Sequence, residues 1–250
     1  LGQNVNAWRG EVDGRPADFA VLLGCVHEIE GIERIRYTTS HPREFSQRLI
    51  DAHGALPKLA PWVSLPVQSG SDRILAAMKR GYTTLEYRSI VRRLRAARPD
   101  VSLSSDFIVG FPGETEEDFA ELKAFLAEYR FERAGVFPYS FEPTTPSAKL
   151  DGHLPEEIKL ARRDELMALQ QEIAFGWARG QVGREVSAIV DEPDPEFPSH
   201  FLGRTAADAP EIDCLIRIKG KNLRNGDLIQ VKVTAADGYD LTGKMLGKPH

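Results

Sequence analysis

At 250 residues, 42% apolar and 28% charged, the chain suits one large domain or a domain with a small module. No apolar run approaches the ~20 residues that cross a bilayer, and no signal peptide opens the chain. A net charge of −5 argues against a broad grip on nucleic acid.

The first residues, LGQNVNAWRG, lack an initiator Met and read as the end of a strand. The sequence is therefore expected to be a fragment missing its N-terminal part. PADFAVLLGCVHEIEG carries apolar positions at helical spacing and stops at Gly31. IRYTTS follows as a predicted strand, REFSQRLIDAHG as a helix closed by Gly54, and WVSLPV as a strand. SDRILAAMKR is a helix with Ser69 or Ser71 as N-cap. LEYRSIVRRLRAARP is a basic amphipathic helix that Pro99 helps end. Its arginines read as a solvated face, with a polyanion contact as the sharper alternative.

VSLSSDFIVGF is the next strand, and Thr115 with Asp118 resembles a capping box at the start of a helix lined by Phe119, Leu122, Leu126 and Tyr129. RAGVFPYS closes the series as a strand. The β-α rhythm implies parallel strands with right-handed crossovers, in an open sheet or a barrel. Pro155 then opens a helix running to about Gln181, with Ile158, Ala161, Leu166, Leu169, Ile173 and Trp177 as its buried stripe. Beyond Gly183, REVSAIVDE, FLGRTA, CLIRIKG, LIQVKVTAA and YDLTGK predict a small barrel of short strands.

Two cysteines, Cys25 and Cys214, lie far apart and outside any C-x-x-C pair, so no metal or redox motif is visible. Both are expected reduced and unpaired, with Cys25 buried in a helix stripe. Their scarcity fits a reducing cytoplasm.

Polar groups recur where predicted strands end, the place at which parallel α/β folds bind ligands. They are Gln3, Asn4 and Asn6; Ser40 and His41; Gln68, Ser69, Gly70 and Ser71; Ser104, Ser105 and Asp106; and Tyr139 with Ser140. At FIVGFPGET, Gly110 and Gly113 would let backbone approach a flat ligand closely. Glu114 is equally explained as an acid at a helix start. The pattern is neither G-x-G-x-x-G nor a P-loop.

LGQNVNAW, RYTTSHPREF, LPVQSGSDRIL, MKRGYT and SSDFIVGFPGETEEDF strongly resemble the radical-SAM methylthiotransferases across nearly the whole chain. The resemblance implies an α/β fold: a partial (β/α) radical-SAM-type barrel over 1–153, a connecting helix over 154–182, and an all-β TRAM-like module over 183–248. It implies S-adenosylmethionine across the strand ends, with Gln3 and Asn4 toward the methionine and Gln68 and Ser69 near the ribose. Ser105, Asp106, Gly110, Phe111, Gly113, Glu114 and Tyr139 complete the implied cofactor site, with FIVGFPGET against the adenine. The family's C-x-x-x-C-x-x-C motif is absent from the sequence. The four-iron four-sulfur clusters would therefore be held by cysteines outside this fragment, and the fragment alone is expected to be inactive.

The halves point to different substrates. QNVNA and TTSHPREF resemble the branch that methylthiolates isopentenyl-adenosine beside the tRNA anticodon. AGVFPYS, ELMALQQEI, GRTAADAPEID and AADGYDLTG resemble the branch that modifies an aspartate of a small-subunit ribosomal protein. Residues 183–250 hold nine basic and eleven acidic side chains, a net charge of −2, unlike an RNA-gripping module. Asp208, Glu211 and Asp213 would suit a cationic partner. The leading expectation is therefore the ribosomal protein, with the tRNA anticodon stem-loop as the alternative. A non-catalytic relative that binds S-adenosylmethionine or the ribosome is a further alternative. A cytoplasmic monomer with no membrane contact is expected.

Overall fold

The structure, a computed structural model, describes residues 4–209 and 212–247 and divides into two units, Leu1–Gln170 and Gln171–His250. In the first unit, β1 (Arg9–Val12) and β2 (Arg15–Asp18) form an antiparallel hairpin. Asp13 and Gly14 both take positive φ at its turn, the conformation that matches strand twist in a two-residue loop. The Asp18 carboxylate accepts the Val21 N–H at 3.1 Å and caps α1 (Phe19–His27).

Only Phe19 and Leu23 of α1 are buried, one helical turn apart. Cys25 lies two residues past Leu23, roughly 200° around the helix, and is exposed. The expectation of a buried thiol is corrected accordingly. IRYTTS is also not a strand: its one ladder contact is Ile35 with Leu59. The Tyr37 ring instead turns inward, edge-on to Phe19 at 4.9 Å.

The remaining elements of this unit are α2 (Gln47–Ala55), β3 (Trp62–Ser64), α3 (Asp72–Ala77), α4 (Thr84–Ala97), β4 (Ser102–Val109), α5 (Glu116–Tyr129) and β5 (Arg133–Pro138). Strands β3, β4 and β5 pair in that order, all parallel, with Asp106 opposite Gly135 and Val109 opposite Pro138. Along β4 the odd residues Leu103, Ser105, Phe107 and Val109 are buried, whereas Ser104, Asp106 and Ile108 on the other face are partly open. On the buried side, Phe107, Phe125, Phe131 and Tyr87 form an aromatic cluster with centroids 5.7–6.3 Å apart. Tyr87 ends that cluster by donating its hydroxyl to the Leu65 carbonyl at 2.7 Å, so its own buried hydroxyl is paired.

The segment read as a connecting helix is α6 (Glu156–Gly180), whose residues up to Gln170 group with the first unit and the rest with the second. Leu166 and Ile173 are buried as expected, but Ile158 is 40% exposed while Lys159 and Arg162 are buried.

In the second unit, β6 (Glu185–Pro193), β7 (His200–Thr205), β8 (Ile216–Lys219), β9 (Leu228–Asp237) and β10 (Asp240–Gly247) close a barrel in the order β10-β8-β7-β6-β9. All pairs are antiparallel except β10 with β8, which closes the barrel in parallel. Val190, Ile216, Ile218, Ile229 and Val231 fill its centre, and Ala178 from the end of α6 joins them. Burial of each such branched side chain is worth about 1.5–3 kcal/mol. No helix among the described residues is long and apolar enough to cross a membrane.

Candidate active site

Parallel strands end at one rim of a sheet, and their loops define a concave floor there. In the first unit a cavity of about 440 Å³ opens at the ends of β4 and β5, lined by Gln68, Met78, Ile108, Phe111, Tyr139 and Ser147 among others. Its apolar floor is the buried group Ile74, Phe111 and Tyr139, with Met78 and Ile108 against it. Phe111 meets Tyr139 edge-on at 5.3 Å. The Tyr139 hydroxyl donates to Ser147 Oγ at 3.0 Å, which fixes the ring.

Gln68 supplies a polar group and an unusual backbone. Its φ is +76°, in the left-handed region. Its N–H donates to the Asp106 carbonyl and its carbonyl accepts from Ile108 N–H, each at 2.9 Å, so the conformation is held from both sides. A non-glycine residue held this way costs about 1 kcal/mol or more, and such strain clusters at ligand sites.

The turn that carries Phe111 is built by three residues. Gly110 takes φ +70°, and its N–H donates to Glu114 Oε1 at 2.8 Å. The same oxygen accepts from Arg162 of α6 at 2.6 Å, and Arg162 also bonds Glu116. Lys159, one turn earlier, donates to the Tyr139 carbonyl at 3.0 Å. Its stem lies where a Cβ on Gly110 would be, 2.2 Å from Lys159 Cγ. Periodicity could not find these two cations, because their partners are loop atoms remote in sequence.

Helix α5 begins as the sequence predicts: Thr115 and Asp118 exchange side chain-to-backbone bonds in a capping box. Asp118 also takes bonds from Ser71 at 2.7 Å and from Arg73. Burial raises its carboxyl, but Arg73, Thr115 and Ser71 outweigh that and hold it well below the usual carboxylate range.

The expected site residues fall into three groups. Gln68, Phe111 and Tyr139 line the cavity, and Gly110, Gly113 and Glu114 shape the turn beside it. Asp106 lies on the same half-open face of β4 as Ile108, its carboxyl pushed up by burial. Ser69 and Ser105 are buried in structural roles. Ser69 Oγ accepts Ser71 N–H at 3.2 Å, while Ser105 donates to the Leu65 carbonyl and accepts from Val67 N–H. Asn4 is exposed and precedes the 3-10 turn Val5–Ala7. Gln3 and Glu211 lie outside the described residues.

Several arginines of α4 have protein partners: Arg88 pairs with Glu128 at 3.1 Å, Arg95 donates to the Tyr129 carbonyl and Arg98 to that of His53. In the second unit, Asp208 is buried and accepts from the Thr205 hydroxyl at 2.6 Å, and Asp213 accepts from Ala209 N–H at 2.7 Å. Asp208 is therefore turned into its own loop, whereas Asp213 stays partly open.

Residues 10–126 match the radical SAM superfamily and residues 182–246 match the TRAM domain. The chain is 49% identical over 249 residues to a tRNA-2-methylthio-N(6)-dimethylallyladenosine synthase of Bordetella avium, covering 99% of this chain and 51% of that protein. Proteins of the same name from Nitrosomonas europaea and Chromobacterium violaceum are 49% and 47% identical, over 98% of this chain and 54% of each. The chain thus spans about half the length of the curated relatives it matches. Coproporphyrinogen III oxidase from Escherichia coli aligns over 54% of this chain and 31% of its own, at 23% identity and a TM-score of 0.46.

These relatives overturn the expectation of a ribosomal-protein substrate. Identity that runs through both halves outweighs a few short marks in the second.

Proposed function

Because the chain belongs to the radical-SAM methylthiotransferase family, we propose that its protein adds a methylthio group to dimethylallyl-adenosine in tRNA, beside the anticodon. The supporting observation is the 49% identity, over 99% of the chain, to a relative whose name states that product. Such a substrate would place the protein in the cytoplasm.

In this reading the strand-end cavity holds S-adenosylmethionine. Its volume, aromatic floor and few polar groups fit an adenine nucleoside. Phe111, Ile108 and Tyr139 would pack the base, Gln68 would meet the ribose, and Asp106 would face the polar end. When bound with an iron-sulfur cluster, S-adenosylmethionine supplies the radical. The described residues do not fit the cluster itself, which needs several thiolates. They include Cys25 and Cys214 in separate units, and no group of three or more metal-ligating side chains. The cluster's cysteines are assigned outside this chain.

The residues present bind, orient and dry the cofactor. The apolar floor excludes water, and the Gly110–Glu114 turn keeps Phe111 in place. The test is expression of the full-length gene in a strain lacking its own methylthiotransferase, with mass spectrometry of tRNA nucleosides. The methylthio derivative of dimethylallyl-adenosine is expected. Persistence of the unmodified nucleoside, while the reconstituted protein still cleaves S-adenosylmethionine, would overturn the substrate.

A further inference from the structure

The cavity has two unlike walls. One is cationic: Lys79 and Arg80 line it, and Lys79 is exposed. Arg43 reaches the same corner, its guanidinium 2.9 Å from where a Cβ on Gly81 would sit. Neither Arg43 nor Lys79 has a carboxylate partner among the described residues. Nearby, Arg9 and Arg73 are paired with Glu44 and Asp118.

The other wall includes Tyr139, from which a series of rings leads outward. Tyr139 is buried in the floor, His153 lies 6.0 Å from it, and Phe141 stands 5.3 Å beyond His153 with 53% of its surface exposed. Phe141 is thus packed on one side by His153 and open to solvent on the other. Large exposed apolar groups rimmed by polar ones mark contact sites.

We propose that this rim docks the RNA substrate: Phe141 and His153 stack a purine base displaced from its strand, while Arg43, Lys79 and Arg80 take the adjoining phosphates. Single-stranded nucleic acid is bound by this pairing of aromatic platforms and cationic tracks. The net charge of −5 does not oppose it, because a docked strand meets the local charge of the rim, where Lys79 and Arg80 line one wall. The inference rests on the tRNA reading above and assigns residues to it.

The test uses the 250-residue chain and a labelled anticodon stem-loop carrying dimethylallyl-adenosine, with plain adenosine as the twin, followed by fluorescence anisotropy over a salt series. Phe141→Ala and His153→Ala are each expected to weaken binding roughly tenfold, and Phe141→Tyr to retain it. Lys79→Ala and Arg43→Ala should weaken both RNAs alike and lower the salt slope by about 1 each. All of these side chains are surface groups, and thermal melts confirm that each variant is folded. In the full-length enzyme Phe141→Ala, His153→Ala and Arg43→Ala, which lie outside the cavity lining, should raise KM for tRNA and leave KM for S-adenosylmethionine unchanged. If the wild-type chain binds RNA and every variant binds equally well, this rim is not the dock, and the tRNA reading stands without it. If the wild-type chain binds neither RNA, the inference falls, while the tRNA reading is decided separately by the nucleoside analysis of the full-length enzyme.

Discussion

Arg162 and Glu114 meet at 2.6 Å with 6% and 1% of their side chains exposed, so an ion pair is sealed under the turn that shapes the cavity. Removing Arg162 leaves Glu114 buried without its counter-charge, which costs about 3–5 kcal/mol, whereas Arg162 keeps Glu116 when Glu114 is lost. Arg162→Met is therefore expected to destabilise the first unit strongly, and Glu114→Gln less, because an amide oxygen still accepts from Gly110 N–H. Urea unfolding followed by tryptophan fluorescence checks the order. Equal midpoints for both variants and wild type would show that the pair is not a constraint.

The same turn separates two glycines that look alike in sequence. Gly110 and Gly113 both take positive φ, so alanine at either is strained by about 1–2 kcal/mol. At Gly110 a Cβ also meets Lys159 Cγ at 2.2 Å, whereas at Gly113 the nearest atom is 4.0 Å away. Gly110→Ala should thus lower the melting temperature more than Gly113→Ala. Adding Lys159→Ala should recover part of the Gly110→Ala loss. A double variant no better than the single would refute the steric account.

His53 provides a pH dependence. The residue is fully buried, with Nε2 2.6 Å from the Tyr37 hydroxyl. Burial and then the charge of Arg98 pull its pKa down to about 4 from 6.5. As pH falls from 6.5, the unfolded chain binds a proton that the folded chain refuses, so stability declines until about pH 4 and is unaffected by this group above 6.5. The full effect is about 3 kcal/mol. Denaturation midpoints measured across that range should fall with pH, and His53→Gln should flatten the slope between pH 6.5 and 5.

Gln68 sets stability against binding. Glycine at this position would release the left-handed strain, worth up to about 1 kcal/mol, and remove the side chain from the cavity. Gln68→Gly is expected to melt no lower than wild type yet bind S-adenosylmethionine several-fold more weakly by calorimetry. Unchanged affinity would remove Gln68 from the cofactor site.

What the sequence made legible was local. The Thr115–Asp118 capping box and the strand within VSLSSDFIVGF are decided by neighbours, and both fold as read. The barrel strands of the second unit likewise follow their own period and turn residues. The Asp13-Gly14 turn carried a hairpin signal that went unused, so β1 and β2 were missed. IRYTTS has the composition of a strand, but only Ile35 finds a ladder partner. Lys159 and Arg162 were invisible because a buried cation is tolerated only where a partner waits, and Glu114 is 48 residues from Arg162. The charge of the ADAPEID loop is a poor guide to substrate for a related reason: Asp208 is buried against Thr205, which its sequence neighbours do not reveal.

The parallel contact between β8 and β10 closes the second unit's barrel, with Leu241 beside Ile216 and Lys244 beside Lys219. During synthesis that contact cannot form until the segment to Gly247 has emerged from the ribosome. Until then β8 and β9 each present an unpaired edge, and edges of this kind recruit other strands. The nascent chain would thus pass through an interval in which β6 to β9 are paired in series but the ring is open. Crowded ribosomes would be the place where such chains exchange strands, and pausing before Leu241 would lengthen that exposure.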